Sequence, residues 1–282
     1  MRFVLLGLFL VAAVFTAFPV SAQYGQTDNA PQNPERVPPS LEELKMLQRE
    51  RAPVADDNKL PFDIREDAIR EAAISYGARG GLAKRTFEIR KELQTRARYM
   101  DKVFDFRQLL IPAPSGFLIE PPIISESINA MLIDNGGQQA AVSDRIYNII
   151  TNAKITSSAR TWRTYLEREW EAVEPPPDIL RPENAEERAL WEELVEKGWA
   201  SGYEQANEIF ANDLNTLTSD FMGMVRYRSL LSQGMISAPY ALQVDRGVTG
   251  DGTEMRVGDR AVEITGVPTL ITEADEWHPA NR

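Results

Sequence analysis

Tyr203, Phe210, Leu217, Met224 and Leu231 recur every seven residues, with Leu214 and Phe221 interleaved. This repeat constrains the fold more than any other stretch, because it lays a narrow apolar stripe along a long helix that must pack on another helix. Asn184, with Glu187 three residues on, marks a capped start. Trp191, Leu194, Val195 and Trp199 continue the apolar face upstream. The stripe reads as intramolecular core or, alternatively, as a seam between subunits.

A second helical block precedes it. From Asp63 to about Phe104 apolar and small residues fall at helical spacing: Ile69, Ala73, Tyr76, Gly80, Ala83, Phe87, then Ile89, Leu93, Met100 and Phe104. The block is one long helix or two in series. Gly77 suits close helix packing, whereas Gly80-Gly81 is where a break is expected, since each Gly costs up to about 1 kcal/mol in a helix.

Between these blocks the pattern changes. Pro112, Pro114, Pro121 and Pro122 interrupt any helix, and Asn135-Gly136-Gly137 is a turn signal between residues 130–133 and 141–155. Helix is expected again from about Arg160, with Trp162, Tyr165, Leu166 and Trp170 on one face, until Pro175-Pro176-Pro177 stops it. Beyond Tyr240, the turn dipeptides Gly250-Asp251 and Gly258-Asp259 divide residues 240–248, 253–257 and 261–265 into a predicted three-stranded meander. The fold class is therefore mainly α with small β elements, an α+β chain of long amphipathic helices with short antiparallel hairpins or a meander.

The N-terminus directs the chain out of the cytoplasm. Arg2, the apolar run from Phe3 to Phe18 and the small residues of Val20-Ser21-Ala22 read as a secretory signal peptide, residues 1–22, cleaved between Ala22 and Gln23. The apolar run falls short of the about 20 residues that span a bilayer. Residues 23–58, rich in Pro, Gln, Asn and charge, read as a flexible tether. It contains one candidate short helix: Ser40 and Glu43 form a capping-box pattern, and Leu41, Leu44 and Leu47 share a side. Residues 59–282 read as a single domain.

The chain has no Cys, so it has neither a disulfide framework nor a site for lipid attachment at position 23. A chain of 282 residues can bury a sufficient core without such staples. The balance of 31 basic against 42 acidic residues argues against a nucleic-acid backbone or an anionic membrane as partner. The one His, His278, lies near the C-terminus, so a Ser-His-Asp triad and a His-rich metal site both lack their parts. No catalytic, cofactor-binding or metal-ligating residue is assigned and no cofactor is expected. The segment reading GVTGDG, Gly247 to Gly252, lacks the Lys and the helix of a phosphate-binding loop and reads as a hairpin turn. Paired carboxylates remain: Glu167, Glu169 and Glu171, near Trp162 and Trp170, are the candidates for a cell-wall hydrolase of muramidase type. Alternating Glu on an amphipathic helix is normally a solvated face, and a non-enzymatic role is expected.

Several motifs resemble the DotC family of type IVB secretion systems, which includes relatives encoded on conjugative plasmids. They are Gly77-Ala78-Arg79-Gly80-Gly81-Leu82-Ala83, Tyr99 to Leu109 (YMDKVFDFRQL), Ser143-Asp144-Arg145-Ile146-Tyr147, Thr161-Trp162-Arg163 and Tyr165-Leu166. Further on come Gly198-Trp199, Gly202, Gln205-Ala206-Asn207, Asp220-Phe221-Met222-Gly223-Met224, Ser237-Ala238-Pro239-Tyr240, Asp245 and Asp259-Arg260. The succession spans residues 60–277. The resemblance implies a structural subunit of a core complex, many copies in a ring, in the periplasm at the outer membrane beside DotD-like and DotH-like subunits. In that setting it would help to position the DotH-like subunit. The best-known members resemble lipoproteins; this chain has no Cys to acylate, so outer-membrane association is expected through partners. A periplasmic chaperone for an outer-membrane subunit is the third reading.

Overall fold

A computed structural model of the chain describes residues 37–50, 62–134 and 139–277. Helix α1 (Leu41–Lys45) begins at Ser40, whose hydroxyl accepts from the Glu43 amide while the Glu43 carboxylate accepts from the Ser40 amide. Five residues cannot hold a helix alone in water. Tertiary packing holds it: Leu44 is fully buried, and its carbonyl accepts a hydrogen bond from Trp191 Nε1 at 3.1 Å. Arg49 pairs with Glu183, and the Glu50 amide donates to Asp178 at 2.8 Å. Residues 37–50 are thus docked on the domain rather than part of a flexible tether. The expected short helix forms, and its partner is this chain.

Two long helices make the frame, α2 (Phe62–Thr95) and α5 (Ala185–Ser232). Asn184 caps α5 by accepting from the Glu187 amide at 2.8 Å. Arg65 meets Glu187, Gly77 meets Val195, Gly202 meets Ala78, and Arg85 meets Asn207. Residue numbers rise together, so the helices run parallel, and residues 96–184 carry the chain back between them. The expected break at Gly80-Gly81 is absent: α2 is continuous to Thr95, and after Arg96 α3 (Ala97–Val103) follows in series. The glycines serve close approach. A Cβ on Gly77, Gly81, Gly198 or Gly202 would strike the carbonyl oxygen of Val195, Trp199, Ile74 or Ala78 respectively. Gly80 instead gives room to Leu44 and the Trp199 ring, so it admits α1 to the helix pair.

The return segment holds a three-stranded antiparallel sheet in the order β1 (Ile111–Pro112), β2 (Leu118–Glu120), β5 (Lys154–Thr156), and a long ribbon of β3 (Ile123–Asp134) with β4 (Gln139–Thr151). The predicted Asn135-Gly136-Gly137 turn lies outside the described residues. Helix α4 spans only Trp162–Leu166, and the chain then runs without helix or strand to Pro177. The helix expected to run to Pro175 therefore stops about two turns early. After α5, β6 (Tyr240–Gly250) and β7 (Met255–Gly266) form one ribbon, not a three-stranded meander. Gly258, at φ +73°, sits inside β7 opposite an irregularity at Gly247, φ +68°. A positive-φ glycine that sequence reads as a turn is here a bulge.

Three apolar clusters lie along α5. The first joins Leu44, Ile69, Ala73, Tyr76 and Trp191. The second gathers Ile89, Leu93, Phe106, Trp162, Leu166, Leu217 and Met224, and the third sets Tyr227 and Leu230 against Ile124 and Ile236. Phe104 and Phe106 both meet Phe221 edge-on at 5.4 and 5.2 Å, an arrangement that aromatic quadrupoles favour.

Candidate interaction surfaces

The heptad residues face neighbours within the chain. Leu217 and Met224 are fully buried in the second cluster, with Phe210 half-buried against it. Leu231 packs on the third cluster. Tyr203 donates its hydroxyl to Glu88 at 2.8 Å, with the Arg85 guanidinium over its ring. The stripe therefore meets different partners in turn: α2 near its start, then α4 and the turn at residues 106–109, then the base of β3.

The carboxylate candidates stand elsewhere. Glu167, Glu169 and Glu171 are exposed on the irregular chain after α4, and Glu167 pairs with Arg163 at 3.3 Å. Trp162 is buried, and its Nε1 donates to Asp101 at 2.7 Å. Its ring is covered by Arg163, 4.3 Å from the centroid, so it offers no stacking face. Trp170 sits edge-on to Phe87 beside a cleft of about 620 Å³ lined by Glu169, Glu171 and α2 residues including Arg79 and Leu82. Among the described residues no three His, Asp or Glu side chains converge as metal ligands. Ala22, Gln23 and His278 lie outside the described residues.

A partly buried polar cluster binds the return segment to α5, and sequence reasoning did not find it. Glu120, on β2, is buried and pairs with Arg160 at 2.5 Å. Arg160 also reaches Asp220 at 3.0 Å and donates to the Tyr165 hydroxyl at 2.7 Å, which in turn donates to Asp220. Burial pushes the Tyr165 phenol up to about 12, with the Asp220 bond adding to it and Arg160 opposing. Residues 120, 160, 165 and 220 come from three segments of the chain, and no local pattern marks them.

A second polar anchor fixes the β3–β4 ribbon. Arg226 donates to Glu126 at 3.0 Å and to the Ile124 carbonyl at 2.6 Å, while Tyr147 and Arg145 also reach Glu126. The Arg226 hydrogen bond holds the Glu126 carboxyl below its ordinary value, against the opposing effect of burial. Gly223 lets the ribbon close on α5, since a Cβ there would crowd Ile123 and the Ile124 backbone.

Beyond that anchor much of the β3–β4 ribbon, and part of the β6–β7 ribbon, presents exposed side chains. Ile128, Met131, Val142 and Ile150 are exposed on the first, with Val142 65% exposed. Tyr240, Leu242, Val244, Val248, Met255 and Val257 are exposed on the second, with Met255 and Val257 at 72% and 74%. A two-stranded ribbon buries little and is marginal alone. Long strands with open edges and apolar side chains are templates for another protein's β structure. No helix among the described residues is long and apolar enough to cross a membrane.

The architecture is that of an α+β scaffold presenting two β ribbons. Residues 63–279 match the family described as type IV secretory system, conjugal DNA-protein transfer, and the chain belongs to that family. No individual curated protein matches it.

Proposed function

We propose that this protein is a structural, non-enzymatic subunit of the core complex of a type IVB secretion or conjugation apparatus, corresponding to the DotC-like component. It acts in the periplasm at the outer membrane, in many copies, and helps position a DotH-like subunit beside a DotD-like one. The observation that carries this reading is the pair of exposed apolar ribbons on a protein of the type IV secretory family. Surfaces of that kind are costly to leave in water and serve assembly. The absence of Cys leaves protein contacts as the route to the membrane.

A strain lacking the gene is expected to lose transfer of protein or DNA. The triple variant Glu167→Gln, Glu169→Gln, Glu171→Gln is expected to restore it fully, because those carboxylates do no chemistry. Peptidoglycan cleavage by the purified protein that disappears in the folded triple variant would replace this reading with the hydrolase.

A further inference from the structure

We propose that the outward face of α2 and α3, which carries Lys91, Arg98 and Lys102, docks on the acidic end of a second copy, around Glu42, Asp67, Glu192 and Glu193, and so joins copies head to tail. This contact rests on the functional reading of many copies in a ring, and supplies the joint between neighbours.

The basic face is continuous. From α2 to α3 the winding is kept through Arg96, whose amide donates to the Glu92 carbonyl at 3.3 Å and whose carbonyl accepts from the Met100 amide at 3.1 Å. Spacings of seven and four residues therefore set Lys91, Arg98 and Lys102 on one side. Leu93, Ala97 and Met100, on the other side, pack in the second apolar cluster. All three cations are exposed, and none has an ion-pair or hydrogen-bond partner among the described residues. The acids nearby are engaged: Glu92 with Arg85, Asp101 with Trp162 and Arg163, and Asp105 with Arg107. On a chain with 42 acidic and 31 basic residues this face inverts the overall sign, so the surface it fits is acidic.

The opposite end of α2 carries the complement. Lys45 is hydrogen-bonded to Glu196 at 2.8 Å, with Glu42 and Glu192 also in its field. Arg70 pairs with Glu66, with Asp67 and Glu193 in its field. Glu42, Asp67, Glu192 and Glu193 are exposed, and their side chains have no hydrogen bond or ion pair among the described residues. Acids in the first turn of a helix answer its dipole, but Glu192 and Glu193 lie about two turns into α5, past that effect. From Arg70 to Lys91 along the continuous α2 is about 30 Å, several screening lengths at physiological salt. The two patches therefore do not neutralise one another within a molecule. Contact between copies brings them together.

Because the patches differ, the contact is heterologous: each copy gives its basic face to one neighbour and its acidic end to the other. Contacts of this type close into a ring where the rotation allows. Exposed ion pairs are individually weak and screened by salt. The contact thus sets the orientation of copies that the core complex gathers.

Crosslinking in cells that carry the full apparatus tests this. The chain has no Cys, so Thr95→Cys beside the basic face and Ala189→Cys beside the acidic end introduce the only thiols of the protein, both at exposed positions. With a flexible bismaleimide the double variant is expected to give a ladder of dimers, trimers and higher species, and each single variant monomer alone. Adding Arg98→Glu and Lys102→Glu sets like charges against one another and is expected to cut the species above monomer about tenfold. Adding Glu192→Lys and Glu193→Lys to these inverts both patches and is expected to restore the ladder. Circular dichroism of the purified variants checks that they are folded. Fractionation of the same cells separates this contact from the functional reading. A protein found with the outer membrane that gives no ladder, a ladder indifferent to Arg98→Glu and Lys102→Glu, or no recovery when both patches are inverted would overturn the head-to-tail contact alone. A product that stops at dimers would show an antiparallel pair and overturn it too. A protein absent from the outer-membrane fraction would overturn the functional reading, and this contact with it.

Discussion

A methyl group on Gly202 would land on the Ala78 carbonyl oxygen, and one on Gly198 on that of Ile74. Alanine normally favours a helix by up to about 1 kcal/mol over glycine. Here both replacements push two parallel backbones apart, so Gly198→Ala and Gly202→Ala are expected to destabilise by about 1–3 kcal/mol each. Urea unfolding monitored by circular dichroism measures this, and a gain in stability would contradict the close packing. Tyr227 gives a residue-scale test of opposite kind. Its side chain is fully buried, its hydroxyl has no hydrogen-bond partner among the described residues, and burial pushes the phenol up to about 12. In the unfolded chain a tyrosine ionises near 10. The folded value is raised, so stability is full below about 10 and is lost as pH rises towards 12, since only the unfolded chain sheds the proton there. Tyr227→Phe is expected to leave stability at neutral pH unchanged or higher, because an unpaired buried hydroxyl costs about 1–3 kcal/mol. It should also reduce the alkaline loss, with Tyr165 retaining part of it. Thermal scans at several pH values check both points.

Elements were legible where their signals are local. The Ser40 and Asn184 caps, the apolar stripes of α2 and α5 and the strands either side of Asn135-Gly136-Gly137 follow from spacing within one or two turns of chain. Gly258 misled because a positive-φ glycine looks the same in a turn and in a bulge, and only pairing with β6 distinguishes them. The helix expected after Trp162 failed for a tertiary reason: Trp170 leaves the helical register to meet Phe87 and Arg90 on α2. The docking of α1 needed Gly80, about 40 residues away, and the Arg160 cluster needed three separated segments. The same reasoning predicts how the β3–β4 ribbon responds to acid. Glu126 is held below its ordinary value by Arg226, so its contribution is present at neutral pH and is lost as pH falls below about 4.5, through the lowered value. Glu126→Gln should therefore unfold earlier than the parent at pH 7 and converge with it in acid. Parallel melting curves that never converge would remove the anchor.

On the scale of the whole molecule, the chain combines a packed α+β domain with two ribbons that it leaves partly uncovered, and it belongs to a type IV secretory family. The proposed role follows from that combination. Among the described residues no helix is long and apolar enough to cross a membrane, and the chain has no Cys. The proposal assigns membrane association to partners. The most direct measurement is fractionation of cells that carry the full apparatus against cells lacking the DotD-like and DotH-like genes. The account predicts that the protein is found with the outer membrane in the first, crosslinked to one of those subunits, and in the soluble periplasmic fraction in the second. Retention in the outer-membrane fraction when both partner genes are absent, or a soluble and uncrosslinked protein when the apparatus is complete, would contradict it.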